Sequence, residues 1–208
     1  MPLVPAGGDP PPDVAIDQAV KALARGQLVV VPTDTVYGLA ADPFRLGASD
    51  RVFAVKRRSR DLELPVLVAS VDDAIALADG VPDVALALME RYWPGALTIV
   101  LPRRADLDAD LGSDDATIGV RCPDHPVPRT LCRAVGPLAT TSANISGEET
   151  PPTAPEVAAI FGDGVALVLD AGPCEGSAST VVDCTGPDVK LLRAGRIPWP
   201  EIEAATGR

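Results

Sequence analysis

Histidine is almost absent from this chain: His125 is the only one in 208 residues, and aromatic residues make up only 3%. One imidazole excludes any metal site built on several histidines, and a Ser-His-Asp mechanism would have to run through it alone. Between Asp124 and Pro126, it reads as a loop or capping residue rather than a catalytic one. The cysteines Cys122, Cys132, Cys174 and Cys184 are scattered, with no pair at the spacing of a zinc knuckle or a dithiol redox motif. They are too sparse for a secreted disulfide scaffold and are expected to be reduced core residues. No apolar run nears the ~18 residues that span a bilayer. No basic residue precedes Lys21 to head a signal peptide. A cytoplasmic protein without a membrane partner is expected. The P-loop, the Gly-x-Ser-x-Gly elbow and His-Glu-x-x-His are all missing.

Positive charge is the other scarcity. Lys and Arg number 18 against 29 Asp and Glu, for a net charge of -11. Such a chain is a poor candidate for gripping nucleic acid, whose binding draws on phosphate neutralisation by Lys and Arg. The acidic run Asp106, Asp108, Asp110, Asp114, Asp115 lacks the spacing and terminal Glu of a calcium loop and reads as solvated surface. With 47% hydrophobic and 23% charged residues, the composition is that of an ordinary globule with a core. A small-molecule enzyme fits these bounds best.

Residues 1–12, rich in Pro and Gly, read as a loose leader, and 13–208 as a single catalytic domain. Asp13 can cap a helix carrying Ile16, Val20 and Leu23, with Gly26 as its stop. The β-branched run at 28–31, closed by Pro32, reads as a buried strand. Helical patterns follow at 49–56, 72–79, 82–92 and 155–161. Strand patterns fall at 66–68, 97–101, 117–121, 138–140, 166–169, 180–183 and 189–193. This interleaving predicts an α/β sheet domain with helices packed on it.

Polar clusters sit at the ends of those strands, where ordered loops build sites. Thr33-Asp34-Thr35 places two hydroxyls and a carboxylate after a buried strand, as either a ligand wall or a capped turn. Lys56-Arg57-Arg58-Ser59-Arg60 is a basic island in an acidic chain, either a solvated helix end or a phosphate clamp. In the strand at 117–121, Thr117, Gly119 and Arg121 share one face. Burying Arg121 there requires an anion, supplied by a ligand carboxylate or by an internal Asp or Glu. The loop from Thr140 through Ser142 and Asn144 to Gly147 is small and rich in hydroxyls; Ser179-Thr180 and Arg193-Ala194-Gly195 repeat the theme.

Taken in order, these pieces resemble the threonylcarbamoyl-adenylate synthase family of the YrdC-like fold, in its short single-domain form. The matching segments are Pro32-Thr-Asp-Thr-Val-Tyr-Gly-Leu39, Lys56 with Arg58, Tyr92-Trp-Pro-Gly-Ala-Leu-Thr98, Val120-Arg-Cys-Pro123, Ser142-Ala-Asn144, Ser179-Thr180 and Leu192-Arg-Ala-Gly195. The resemblance implies a twisted, mostly mixed β-sheet with flanking helices. It implies a nucleotidyltransferase joining L-threonine, bicarbonate and ATP into threonylcarbamoyl-AMP and pyrophosphate. That product would feed a downstream threonylcarbamoyl-transfer machinery making N6-threonylcarbamoyladenosine at tRNA position 37, the chain itself touching tRNA weakly if at all. Thr33, Arg121, Thr140 and Ser179 would surround threonine, with Arg121 on its carboxylate. Lys56, Arg58, Thr117, Ser142, Asn144, Thr150 and Arg193 would hold ATP. Lys56, Arg58 and Arg121 would act by positioning, with no covalent catalyst and no protein metal site, Mg2+ arriving mainly on ATP. The segment Tyr92 to Gly95 would shape the wall rather than touch substrate. Two departures stand out: the stretch from Lys56 to Pro65 is about two residues longer than in many relatives, and Ala69 replaces a histidine several of them place near threonine. A carbamoyl-adenylate module as in hydrogenase maturation, or a non-catalytic double-stranded RNA or tRNA-binding module, are the alternatives.

Overall fold

The computed structural model describes residues 1–112, 116–174 and 176–206. Its strands are β1 (Leu3–Pro5), β2 (Val29–Val31), β3 (Gly38–Ala41), β4 (Val66–Leu67), β5 (Leu97–Pro102), β6 (Thr117–Arg121), β7 (Leu138–Ser142), β8 (Leu167–Asp170), β9 (Thr180–Asp183) and β10 (Lys190–Arg193). The helices are α1 (Asp13–Ala24), α2 (Ala48–Lys56), α3 (Val71–Ile75), α4 (Asp83–Tyr92), α5 (Pro126–Val135), α6 (Ala154–Phe161) and α7 (Trp199–Ala205). All ten strands join one mixed sheet, in the order β1-β8-β2-β3-β7-β4-β6-β5-β9-β10. The α/β expectation holds.

Alternation along the strands sorts the core into two faces. Val30, Ile99, Val120 and Val168 point into the larger cluster, with Phe53, Leu88 and Phe161 from α2, α4 and α6. Val29, Val31, Leu167 and Leu169 point the other way, into a smaller cluster with Ile16 and Leu23 of α1 and Leu131 of α5. Helices α1 and α5 therefore cover the second face from β1 across to β4, where Ala40 of β3, Leu138 of β7 and Leu67 of β4 join the smaller cluster. Over β5, β6, β7 and β9 that face carries Thr98, Gly119, Arg121, Thr140 and Val181 and opens onto a cavity.

The residues expected to form a loose leader supply an edge strand instead: β1 runs parallel to β8, with Leu3 opposite Val168 and Pro5 opposite Asp170. Val4 is buried there, so three residues suffice where a ready-made edge supplies the hydrogen bonds. Strand β3 pairs antiparallel with both β2 and β7. Its Gly-Leu-Ala-Ala sequence has no β-branched residue, and burial between two neighbours overrides propensity. Helix α5 opens with prolines, which cost nothing in a first turn whose N–H groups have no helical partner. His125 is its N-cap, its Nδ1 accepting the Val127 backbone N–H at 3.2 Å, as a capping reading requires.

Candidate active site

The cavity of about 320 Å³ lies against the uncovered half of the sheet. Loop 33–37 and Gly38 form one wall; β4, β5, β6, β7 and β9 form the floor; Arg58, Glu63, Ser179 and Arg193 close the rest. Gly38 is required on this wall because a Cβ there would stand 2.8 Å from the Thr140 Cγ2 atom. Hydroxyls are the most frequent polar groups of the lining and are held in place. Thr33 donates to the Val36 carbonyl at 2.6 Å and lies 2.9 Å from the Thr35 hydroxyl. Thr140 donates to the Leu138 carbonyl at 3.0 Å, and the Ser179 hydroxyl lies 2.9 Å from that of Thr98.

Arg121 leaves the end of β6 with only 8% of its side chain exposed and is held on all three nitrogens. Nη2 pairs with Asp34 Oδ1 at 2.6 Å, itself 13% exposed. Nη1 donates to the Thr35 hydroxyl and Nε to the Gly95 carbonyl, each at 2.9 Å. Burial pushes this guanidinium below its ordinary pKa, and the Asp34 charge opposes that shift. Of the two partners the sequence left open for Arg121, the structure supplies the internal carboxylate; the two uncommitted N–H groups still suit a ligand anion.

The other cations differ. Helix α2 ends in a Schellman turn: Arg57 N–H reaches the Ala54 carbonyl, Arg58 N–H reaches Phe53, and Arg57 is left-handed at φ 51°. That turn sends consecutive side chains in different directions. Lys56 is 2% exposed, and its Nζ donates to the Ser142 carbonyl, the Asn144 carbonyl at 2.7 Å and Asn144 Oδ1 at 3.1 Å. Burial and then Arg58 lower its pKa to about 8. Arg58 faces the cavity, donating to the Thr141 hydroxyl and the Glu63 carbonyl, each at 3.0 Å. Its Nε is buried with no hydrogen-bond partner among the described residues. Arg193 binds the Ser179 carbonyl at 2.8 Å and hydroxyl at 3.0 Å through Nη2. Burial depresses both guanidinium pKa values, and Arg193 depresses that of Arg58 further. Arg60 instead pairs with Asp50 and Asp110 on the exposed surface.

The structure thus brings Thr33, Arg58, Arg121, Thr140, Ser142, Ser179 and Arg193 to one cavity. Lys56 and Asn144 stand one layer behind Ser142. Thr117 contacts the wall residue Glu63 at 3.3 Å, and half-buried Thr150 lies off the wall. Thr98 and Thr141 are wall residues that sequence reasoning did not single out. Alternation in β5 marks Thr98 as a polar residue opposite the core face, and Thr141 lies within the hydroxyl-rich stretch that begins at Thr140. The Tyr92 to Gly95 turn stays off the wall: Trp93 Nε1 donates to the Leu97 carbonyl at 2.7 Å, and Gly95 presents its carbonyl to Arg121. Ala69 is buried away from the cavity. The acidic run places Asp106, Asp108 and Asp110 in no metal-binding group among the described residues, and Asp114 and Asp115 lie outside them. All four cysteines are buried, and burial raises their pKa values, leaving no activated thiolate.

Among the described residues, no helix is long and apolar enough to cross a membrane. The Sua5/YciO/YrdC family model, described as telomere recombination, matches residues 21–195. Over 193 residues, 92% of this chain and 89% of the relative, the sequence is 44% identical to a putative threonylcarbamoyl-AMP synthase of Mycobacterium tuberculosis. It is 38% identical to the threonylcarbamoyl-AMP synthase of Bacillus subtilis, over 94% of this chain and 57% of that longer one. The structure of Pyrococcus abyssi Sua5 complexed with L-threonine matches with a TM-score of 0.90 at 34% identity, over 100% of this chain and 61% of that chain. With that breadth of match in sequence and in fold, the chain belongs to the Sua5/YciO/YrdC family.

Proposed function

We propose that this protein is an L-threonylcarbamoyladenylate synthase, a nucleotidyltransferase converting L-threonine, bicarbonate and ATP into threonylcarbamoyl-AMP, pyrophosphate and water. The observation that carries this reading is a single cavity joining an ion-paired arginine, Arg121, to two arginines held only by neutral acceptors, Arg58 and Arg193. The first suits one carboxylate. The second pair, with no carboxylate on either guanidinium among the described residues, suits a polyphosphate.

Threonine docks with its carboxylate on the two remaining Arg121 N–H groups and its hydroxyl among Thr33, Thr140 and Ser179. Its amine takes up CO2 derived from bicarbonate as a carbamate, and a carbamate oxygen attacks the α-phosphate as pyrophosphate departs. No group on the protein need become covalently attached. Alignment of two bound partners can supply ~7–11 kcal/mol of the barrier. Arg58 and Arg193 stabilise charge moving onto the leaving pyrophosphate, a contribution of several kcal/mol in a site shielded from water. Lys56 fixes the Ser142–Asn144 loop from behind, so its part in ATP binding runs through the Ser142 wall.

The donor set also fits Mg2+ carried in by the nucleotide. The wall offers hydroxyls and the Glu63 carboxylate, and no group of three or more His, Cys, Asp or Glu that could hold a metal occurs among the described residues. Ser142 and Thr141 would lie beside the ion's water shell, with phosphate oxygens as its main ligands. When bound, the ion neutralises phosphate charge. The product would pass in the cytoplasm to a separate threonylcarbamoyl-transfer machinery acting on tRNA.

Mass spectrometry of purified protein with Mg·ATP and bicarbonate tests this reading. L-threonine should give threonylcarbamoyl-AMP, valine should react ~10⁴-fold less well for want of the hydroxyl, and serine only ~10–200-fold less well. Absence of the adenylate with L-threonine would refute the assignment.

A further inference from the structure

We infer that Asp34 is a positioning residue for the reaction, a carboxylate outside the catalytic cavity that orients Arg121 towards the substrate carboxylate. The inference rests on the proposed docking of threonine on Arg121. Along loop 33–35 the side chains diverge: Thr33 and Thr35 line the catalytic cavity and Asp34 does not. Asp34 lines a second cavity instead, with Thr33, Cys174, Ser177 and Arg196. Its carboxylate therefore meets Arg121 from behind the wall.

Asp34 is itself tied down. Oδ1 accepts both Arg121 Nη2 at 2.6 Å and the Asp124 backbone N–H at 3.1 Å, and the Asp34 carbonyl accepts Arg196 Nη1. Together with Thr35 on Nη1 and Gly95 on Nε, this gives each guanidinium nitrogen one fixed acceptor. Five N–H donors minus three commitments leave one on Nη1 and one on Nη2, the number a bidentate carboxylate uses. A guanidinium fixed before the substrate arrives loses little freedom on binding, and misplacement by about 1 Å costs ~10²-fold in rate. Asp34 is not on the cavity lining, and the contact its carboxylate makes with a lining side chain is the one to Arg121. The competing possibility is that Asp34 occupies Arg121 at the expense of the substrate, which has the opposite sign.

Calorimetric titration of full-length protein with L-threonine, L-threonine amide and Mg·ATP separates these outcomes, with melting curves taken for each variant. In Asp34→Asn and Asp34→Ala, L-threonine affinity should fall on the order of 10-fold, with Mg·ATP affinity within about twofold of wild type. The preference for L-threonine over its amide should shrink equally. On an Arg121→Ala background, Asp34→Asn should change threonine affinity no further. Tighter or unchanged threonine binding, an equal loss for Mg·ATP, or an additive loss in the double variant would each overturn the role. Asp34→Asn preserves the shape of the side chain, so the test survives if Asp34→Ala melts early. A wild-type protein that binds Mg·ATP but not L-threonine would bring down the proposed function as well, whereas unchanged affinity in Asp34→Asn would bring down this inference alone.

Discussion

The two ends of the cavity handle positive charge in opposite ways. Arg121 is buried against a carboxylate, Asp34, and its charge is largely balanced before any ligand arrives. Lys56 lies in the field of Arg58, and Arg58 in that of Arg193, whose field also reaches Arg121; Lys56, Arg58 and Arg193 are held by carbonyls, hydroxyls and an amide oxygen, with no ion pair on any of them among the described residues. A balanced arginine can recognise one carboxylate by geometry without drawing in every anion. An unbalanced cluster stores attraction for a ligand with several negative charges, as a triphosphate has. The difference teaches that the acidity of the chain is not uniform: one local excess of positive charge is kept by withholding carboxylates from it.

Four perturbations sharpen or break this contrast, in falling order of effect. The largest joins both ends. A Cβ at Gly195 would overlap the Ala178 carbonyl and the Ser179 backbone, so Gly195→Ala must displace the wall on which Arg193 and Thr98 converge. Adenylate formation should fall ~10²-fold, measured as initial rate, with both substrates affected. Next come the stability costs, which should differ between ends. Arg121→Ala leaves the part-buried Asp34 carboxylate without its ion-pair partner and should cost about 3 kcal/mol in urea unfolding. Arg58→Ala leaves only neutral acceptors behind and removes a buried charge, so about 1 kcal/mol is expected. Equal losses would contradict the contrast.

The third perturbation is pH. The folded-state pKa of Lys56 is lowered from 10.5 to about 8 by burial and Arg58. Between those values the unfolded chain keeps a proton that the native state gives up, so this lysine makes stability rise with pH across that window. Function moves the other way: deprotonation loosens the Ser142–Asn144 loop and removes a positive charge, and Mg·ATP affinity should weaken above about pH 8. Lys56→Gln should abolish both trends, as followed by denaturation and calorimetry from pH 7 to 10. The smallest effect is at Arg57, whose left-handed conformation favours glycine. Arg57→Gly should raise stability by about 1 kcal/mol and leave both substrate affinities unchanged, since Arg57 is exposed and off the wall.

Much of this was legible in residue patterns, because period-2 alternation and β-branched runs mark strands such as β2 and β6 directly. Alternation in β6 also placed Gly119 and Arg121 on one face, which proved to be the cavity face. Strands β1 and β3 were not legible: Leu3–Pro5 and Gly38–Ala41 become strands because neighbours offer them hydrogen bonds, not through their own propensity. Arg58 could not be separated from Arg57 and Arg60 by sequence, because the Schellman turn that aims each one is a three-dimensional property. Lys56 was expected among the ATP contacts, yet its ammonium is spent on the Ser142–Asn144 loop, and only coordinates show how its donors are shared out. The Asp34–Arg121 pair joins residues far apart in the chain, which no local pattern announces.

The most direct test of the account is a crossed titration, in which Arg58→Ala and Arg121→Ala are each titrated with L-threonine and with Mg·ATP. Arg58→Ala should weaken Mg·ATP at least 10-fold and L-threonine by less than about threefold, and Arg121→Ala should show the reverse. Equal weakening of both ligands in both variants would contradict the division of the cavity into a balanced carboxylate end and an unbalanced phosphate end.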